Sequence, residues 1–156
     1  MLGCEDAVEH VLQEEYERVA ARYQELRAEF AKYKFCLIAH GIAYLPDALR
    51  VYQQDYGLPI EKICIIMIEL AKAEYGCEAQ VLLEPSEDAL REAAQSCDFV
   101  ICNGHPRYAS LNVPVLYNLF DRSVWNYQGF VDIMEEVWQM LQQPQRTGSS
   151  LLLSKL

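Results

Sequence analysis

At 156 residues and 18.0 kDa the chain has the length of one domain, enough to bury a sizeable core. Hydrophobic residues make up 52% and charged residues 23%, a globular composition that excludes intrinsic disorder over most of the chain. The formal net charge of -10 would repel a phosphate backbone, and no local basic patch offsets it, so no nucleic-acid partner is expected.

The longest apolar run, residues 63–68, is too short to span a bilayer, and no membrane association is expected. The first fifteen residues are acidic and lack the basic-then-apolar order of a secretory signal. A cytoplasmic location follows as an expectation, with the six cysteines reduced rather than paired. Cys36, Cys64 and Cys102 sit inside apolar runs, where a free thiol behaves as a small hydrophobe.

In chain order, residues 5–33 predict a long amphipathic helix. Val8, Leu12, Tyr16, Val19, Tyr23, Leu26, Phe30 and Tyr33 recur at spacings of three and four between Glu, Gln and Arg. At 1.5 Å per residue it would reach roughly 40 Å, more than one small sheet needs. Such a helix either packs on its own domain and projects past it, or docks on another domain or subunit; the near-heptad stripe suits the second as well as the first.

Phe35-Cys36-Leu37-Ile38-Ala39 then reads as a first strand, followed by the turn His40-Gly41 and a helix that Gly57 and Pro59 end. Residues 63–68 read as a second strand, continuously apolar as a strand buried on both faces should be. A short helix over 69–75 leads to a third strand at 79–83. Ser86 is placed to cap a helix over 87–95. Phe99-Val100-Ile101-Cys102 and Val115-Leu116-Tyr117 read as the fourth and fifth strands, and 129–142 as a last amphipathic helix. Beyond Pro144 the chain is polar and suited to fraying.

This alternation of strand and helix predicts an α/β, three-layer, Rossmann-like domain with a mainly parallel five-stranded sheet. The expected organisation is an N-terminal helix (1–33), a Rossmann-like domain (34–143) and a flexible tail (144–156).

Ligands of open parallel sheets bind beyond the carboxyl ends of the strands. That rule selects residues 40–44, 69, 84–86, 103–108 and 118–127, and with them His40 and Gly41 after the first strand. The stretch Asn103-Gly104-His105-Pro106-Arg107-Tyr108 offers an amide, a glycine that admits a ligand to the backbone, an imidazole and a guanidinium. The same residues also make an ordinary turn. In Asn118-Leu119-Phe120-Asp121-Arg122-Ser123-Val124-Trp125-Asn126-Tyr127, Asp121 and Arg122 either face a partner as an ion pair or hold the loop to the domain. Trp125 and Tyr127 have the flat amphipathic rings favoured at interfaces.

Several signals are missing: GxGxxG after the first strand, GxxxxGK[ST], CxxC and HExxH. Cys97 and Cys102 would sit at opposite ends of one strand, about 15 Å apart, and so would not share a metal. Cys102 and His105 are left as an incomplete pair, without a third ligand and without the third group a cysteine nucleophile and its base would need.

Read together, these residues resemble a known family. A long helix leads into Lys34-Phe35-Cys36-Leu37-Ile38-Ala39-His40-Gly41. Ser96-Cys97-Asp98-Phe99-Val100-Ile101-Cys102-Asn103-Gly104-His105 follows, then Asn112-Val113-Pro114-Val115-Leu116-Tyr117-Asn118-Leu119-Phe120-Asp121-Arg122, and Tyr127-Gln128-Gly129 opens the closing helix. The succession is similar to the C-terminal Rossmann-like domain of the nitrogenase component 1-type oxidoreductases, over roughly residues 16–142. That family includes molybdenum–iron protein subunits, cofactor-assembly scaffolds and the dark-operative protochlorophyllide and chlorophyllide reductases.

The resemblance implies a domain, or stand-alone relative, of such an oxidoreductase. It would form part of a metal-cluster or tetrapyrrole cavity together with other domains or subunits. The family's cluster-bridging cysteines belong to its first domain, so the resemblance implies no cofactor on this chain alone, and an iron–sulfur or metal cluster only in a larger assembly serving electron transfer. Asn118 stands where some catalytic subunits carry a histidine metal ligand, and Cys102 where the family carries glycine. The alternative is a non-catalytic binding or assembly module that keeps the fold and associates through its N-terminal helix. The partners expected are other domains or subunits of a component 1-like complex, or a second copy through residues 5–33.

Overall fold

The computed structural model describes residues 2–39, 45–66, 78–102, 111–117 and 127–143. Five strands, β1 (Phe35–Ala39), β2 (Ile60–Ile65), β3 (Gln80–Leu83), β4 (Phe99–Cys102) and β5 (Val115–Tyr117), form one sheet in the order β3-β2-β1-β4-β5. Every pairing is parallel. Helix α1 (Leu2–Phe30) precedes the sheet. α2 (Leu45–Arg50) passes into a π-helical turn over Val51–Asp55, α3 (Glu87–Gln95) lies between β3 and β4, and α4 (Tyr127–Gln142) closes the described chain. The α/β class and the parallel five-stranded sheet behind a long helix are as the sequence predicts.

Alternation along the strands sorts the core into two layers. Phe35, Leu37 and Ala39 of β1, Ile63 and Ile65 of β2, and Phe99 and Ile101 of β4 join residues from α1, α2 and α4 in one buried cluster. Cys36 and Ile38, Cys64, and Val100 and Cys102 face the other way, against Leu90, Ala93 and Ala94 of α3. Helices therefore cover both faces, which is why these strands are apolar throughout.

The second strand begins earlier than the apolar run suggests. β2 starts at Ile60 and has ended by Ile66, whose N–H still reaches the Ala39 carbonyl at 2.9 Å. Glu61 and Lys62 occupy its first turn of pleat at the base of the sheet, where Lys34 meets Glu61 at 3.2 Å. The pairing also slips there, from Phe35↔Ile60 to Cys36↔Lys62, a β-bulge that absorbs one residue. Met67 and Ile68, and the predicted helix over 69–75, lie outside the described residues, as does the tail over 144–156.

Helix α3 starts where Ser86 places its hydroxyl to accept from the Ala89 N–H at 3.2 Å, with Glu87 and Asp88 in the first turn. The π turn ends in a left-handed Gly57 at φ +68°, which closes the Leu58 N–H on the Tyr52 carbonyl at 2.9 Å. The positive φ favours glycine, and a Cβ there would also press on the Arg27 side chain, 2.9 Å from its Nε.

α1 and α4 lie side by side and run in the same direction. Tyr16 meets Tyr127 at a ring separation of 5.5 Å, Tyr23 meets Phe130 at 5.9 Å, and Tyr33 meets Trp138 at 6.2 Å. Between them the Arg22 guanidinium holds the Glu135 carboxylate with two donors, one of them Nη2 at 2.9 Å. The amphipathic stripe of α1 splits along its length. Val19, Leu26 and Phe30 are buried in the chain's own core, whereas every residue from Val8 to Glu14 is exposed. The helix packs on its own domain through one half and projects past it through the other.

Candidate functional site

In an open parallel sheet the crevice opens where strand order reverses direction, because the chain turns away on opposite sides there. Here β2 and β3 are added on one side of β1, and β4 and β5 on the other, so the reversal lies between β1 and β4. Their carboxyl ends are adjacent: Ile38 pairs with Cys102, and Cys102 in turn with Tyr117. The chain thus leaves the sheet toward His40 and Gly41, toward Asn103, and toward Asn118 from three neighbouring strands.

His40, Gly41, Asn103, Gly104, His105, Arg107, Asn118, Asp121, Arg122 and Trp125 themselves lie outside the described residues. What is described is the rim from which they depart. On the far side of β1, the Glu84 N–H caps the Ile65 carbonyl at 2.8 Å, with Glu84 held at φ +43°. That left-handed conformation is unusual for a residue with a Cβ.

Two candidate residues are described. Cys102, which ends β4, is buried in the core layer beneath α3. Tyr127 opens α4, half-exposed, with its ring edge against Tyr16.

The sequence gives no hint that its thiols converge, yet Cys36, Cys64, Cys97 and Cys102 share one buried layer. The arrangement arises because Cys36, Cys64 and Cys102 occupy positions of the same parity on three adjacent strands. Cys97, in the turn before β4, closes the layer from the amino end. Hydrogen bonding with Cys64 and Cys97 favours the protonated Cys36 thiol, which is pushed far up, while Cys64 is lowered and Cys97 is brought down to about 7.

These thiols do not form a metal site. Among the described residues no three His, Cys, Asp or Glu side chains converge on a point where an ion could sit. A resident iron–sulfur cluster needs such a set of exposed or cavity-facing thiolates, and the described cysteines are packed against α3 instead. The described residues therefore do not by themselves hold a cluster. Among them, too, no helix is long and apolar enough to cross a membrane.

A second surface is better furnished than the sequence suggests. A groove of about 680 Å³ lies where α1 passes the start of α4, lined by Glu9, His10, Leu12, Gln13, Tyr16 and Tyr127. On the same helix the Glu15 carboxylate accepts from the Gln128 N–H at 3.5 Å and sets a negative charge at the amino end of α4. His10 meets Glu14 at 3.2 Å on the exposed side of the helix. Of the residues lining this groove, Leu12 and Tyr16 belong to the predicted stripe, but only the fold shows which part of that stripe is left open.

No family model matches the chain, and no curated protein matches it by sequence. Among solved structures it is similar to a chain of nitrogenase Cp1 at pH 6.5, with a TM-score of 0.55 and 16% sequence identity. The similarity covers 84% of this chain and 33% of that one, so this chain spans about a third of its length. At that identity the likeness is one of fold: the long helix and five-stranded parallel sheet described above have a counterpart within a nitrogenase chain.

Proposed function

We infer that this chain is a domain, or a stand-alone relative, of a nitrogenase component 1-type oxidoreductase, acting as one wall of a metal-cluster or tetrapyrrole cavity completed by other domains or subunits. The observation that carries this reading is the fold likeness to about a third of a nitrogenase Cp1 chain, joined to the strand-order reversal between β1 and β4. The chain continues into His40 and Asn103 from the two strands at that reversal, and into Asn118 from the next strand. In such an assembly the cofactor supplies the redox chemistry, and the protein supplies position and local charge. His40, Asn103, His105 and Arg107 are the donors this chain would contribute to the cavity, and Asp121, Arg122 and Trp125 the contacts to a neighbouring domain.

A second reading has its own observation. The exposed half of α1 suits a binding or assembly module that keeps the fold without the chemistry. Anaerobic purification of the tagged chain from its native cells separates the two. The first reading expects a larger complex with stoichiometric iron or a tetrapyrrole band, while the chain purified alone is colourless. A defined but colourless complex supports the second. Stoichiometric iron on the isolated chain would overturn the claim that the cavity needs other domains.

A further inference from the structure

The stripe on α1 changes partner along its length. From Val19 onward it is covered by the chain's own core. Before that point Val8, Val11 and Leu12 are 57%, 61% and 47% exposed, and the open stripe runs into Tyr16 and Tyr127 at the groove. Clustered large apolar side chains on one helix face mark a surface built to be covered.

The charge around that stripe decides by what. Between Glu5 and Glu17 the sequence carries six carboxylates and no lysine or arginine. Glu9 and Glu15 lie beside the Val8, Leu12 and Tyr16 stripe at helical spacing. Two copies of this helix laid together would therefore set these carboxylates against each other with no basic residue of the segment to offset them, a repulsion that specific helix pairs avoid. A basic helix would meet the same carboxylates favourably.

We propose that the amino-terminal half of α1, with Tyr127 at its base, is the docking seam for an amphipathic helix of a different polypeptide, whose aliphatic stripe is flanked by lysines or arginines. Val8, Val11 and Leu12 take the aliphatic knobs, and the Tyr16–Tyr127 pair ends the seam where α4 begins. Glu9 and its neighbouring carboxylates set the partner's identity and orientation. The partner is therefore a different polypeptide and not a second copy. This goes beyond the cavity reading and does not depend on it, since the seam lies on the helical layer and involves no cofactor.

The test uses the full chain and two synthetic helical peptides, each roughly three heptads long with the same leucine stripe. One is flanked by lysines and the other by glutamates, and binding is read by fluorescence anisotropy. The lysine peptide is expected to bind saturably, at least about tenfold tighter than the glutamate peptide, and to weaken as salt shortens the screening length. The double variant Val8→Ser/Leu12→Ser should keep the melting temperature, because both side chains are exposed, yet lose at least about tenfold in affinity. Equal binding of both peptides would overturn the proposal. So would full affinity in the double variant, which would mean that the acidic chain attracts lysines anywhere. A dimer of the chain alone that the double variant converts to monomer would assign the seam to a second copy instead.

Discussion

Arg22 and Glu135 show how much a single pair can be asked to do. The guanidinium joins α1 to α4 through two donors on one carboxylate and reaches Glu25 at 2.6 Å with a third. Hydrogen bonds from Arg22 hold the Glu135 carboxyl below the usual carboxylate range, against the opposing effect of burial. Because the folded-state value is the lower one, this pair stabilises the fold above the unfolded carboxyl's titration. The contribution is lost as pH falls through the depressed folded value. Arg22 is 37% exposed, so solvent screens the pair and its worth is about 0.5–1 kcal/mol. Glu135→Gln should therefore lower the urea-unfolding free energy by about that amount at neutral pH, with the difference shrinking toward zero in acid. An undiminished difference at low pH would mean the glutamine disturbs packing and not charge. Neither residue stands out in the sequence, where both look like solvated helix charges. The pairing needs two helices placed side by side, and no local pattern contains that. The same holds for the thiol layer: Cys36, Cys64 and Cys102 read correctly as small apolar residues, but their meeting with one another and with Cys97 depends on strand order.

Among the elements, the legible ones are those whose ends carry their own chemistry. Ser86 before Glu87 and Asp88 announces the start of α3, and α3 begins there. β1, β4 and β5 are short apolar runs, the first two between polar residues and the third between Pro114 and Asn118, and each has the bounds its run suggests. β2 is displaced because Glu61 and Lys62 sit within its first residues at the base of the sheet, where a strand can carry charge into solvent. α1 was legible in type but ambiguous in role, since one spacing serves both halves of the stripe. Burial divides them: Leu26 is fully buried and Leu12 is not. Leu26→Asp should leave an unpaired charge in the core and cost several kcal/mol, on the order of 3–5, enough to unfold much of the population. Leu12→Asp should shift stability by no more than about 0.5 kcal/mol, measured as the urea midpoint. Equal effects would mean that the projecting half is covered by this chain after all.

For the whole molecule, the described residues resolve into a three-layer body and an arm. The body draws its stability from two core layers on either side of the sheet, and α1 joins it only from Glu15 onward, through Glu15 itself, the Tyr16–Tyr127 pair and the buried Val19. Because no residue from Val8 to Glu14 is buried, the arm contributes helix length and exposed surface to the isolated chain. An isolated helical end of that length is marginal in water on its own and is held by continuity with the packed half. Removing residues 1–13 should therefore leave the melting temperature and the denaturant dependence of unfolding unchanged, since both follow the surface buried on folding. The helical circular dichroism should fall only by the share of the deleted turns. The same truncation should abolish binding of the lysine-flanked peptide. Loss of stability together with binding would show that the arm belongs to the body's core. Loss of binding alone would show that a protein of this size sustains a helix whose apolar face waits for another chain, which is the condition under which such an exposed stripe is useful and not a liability.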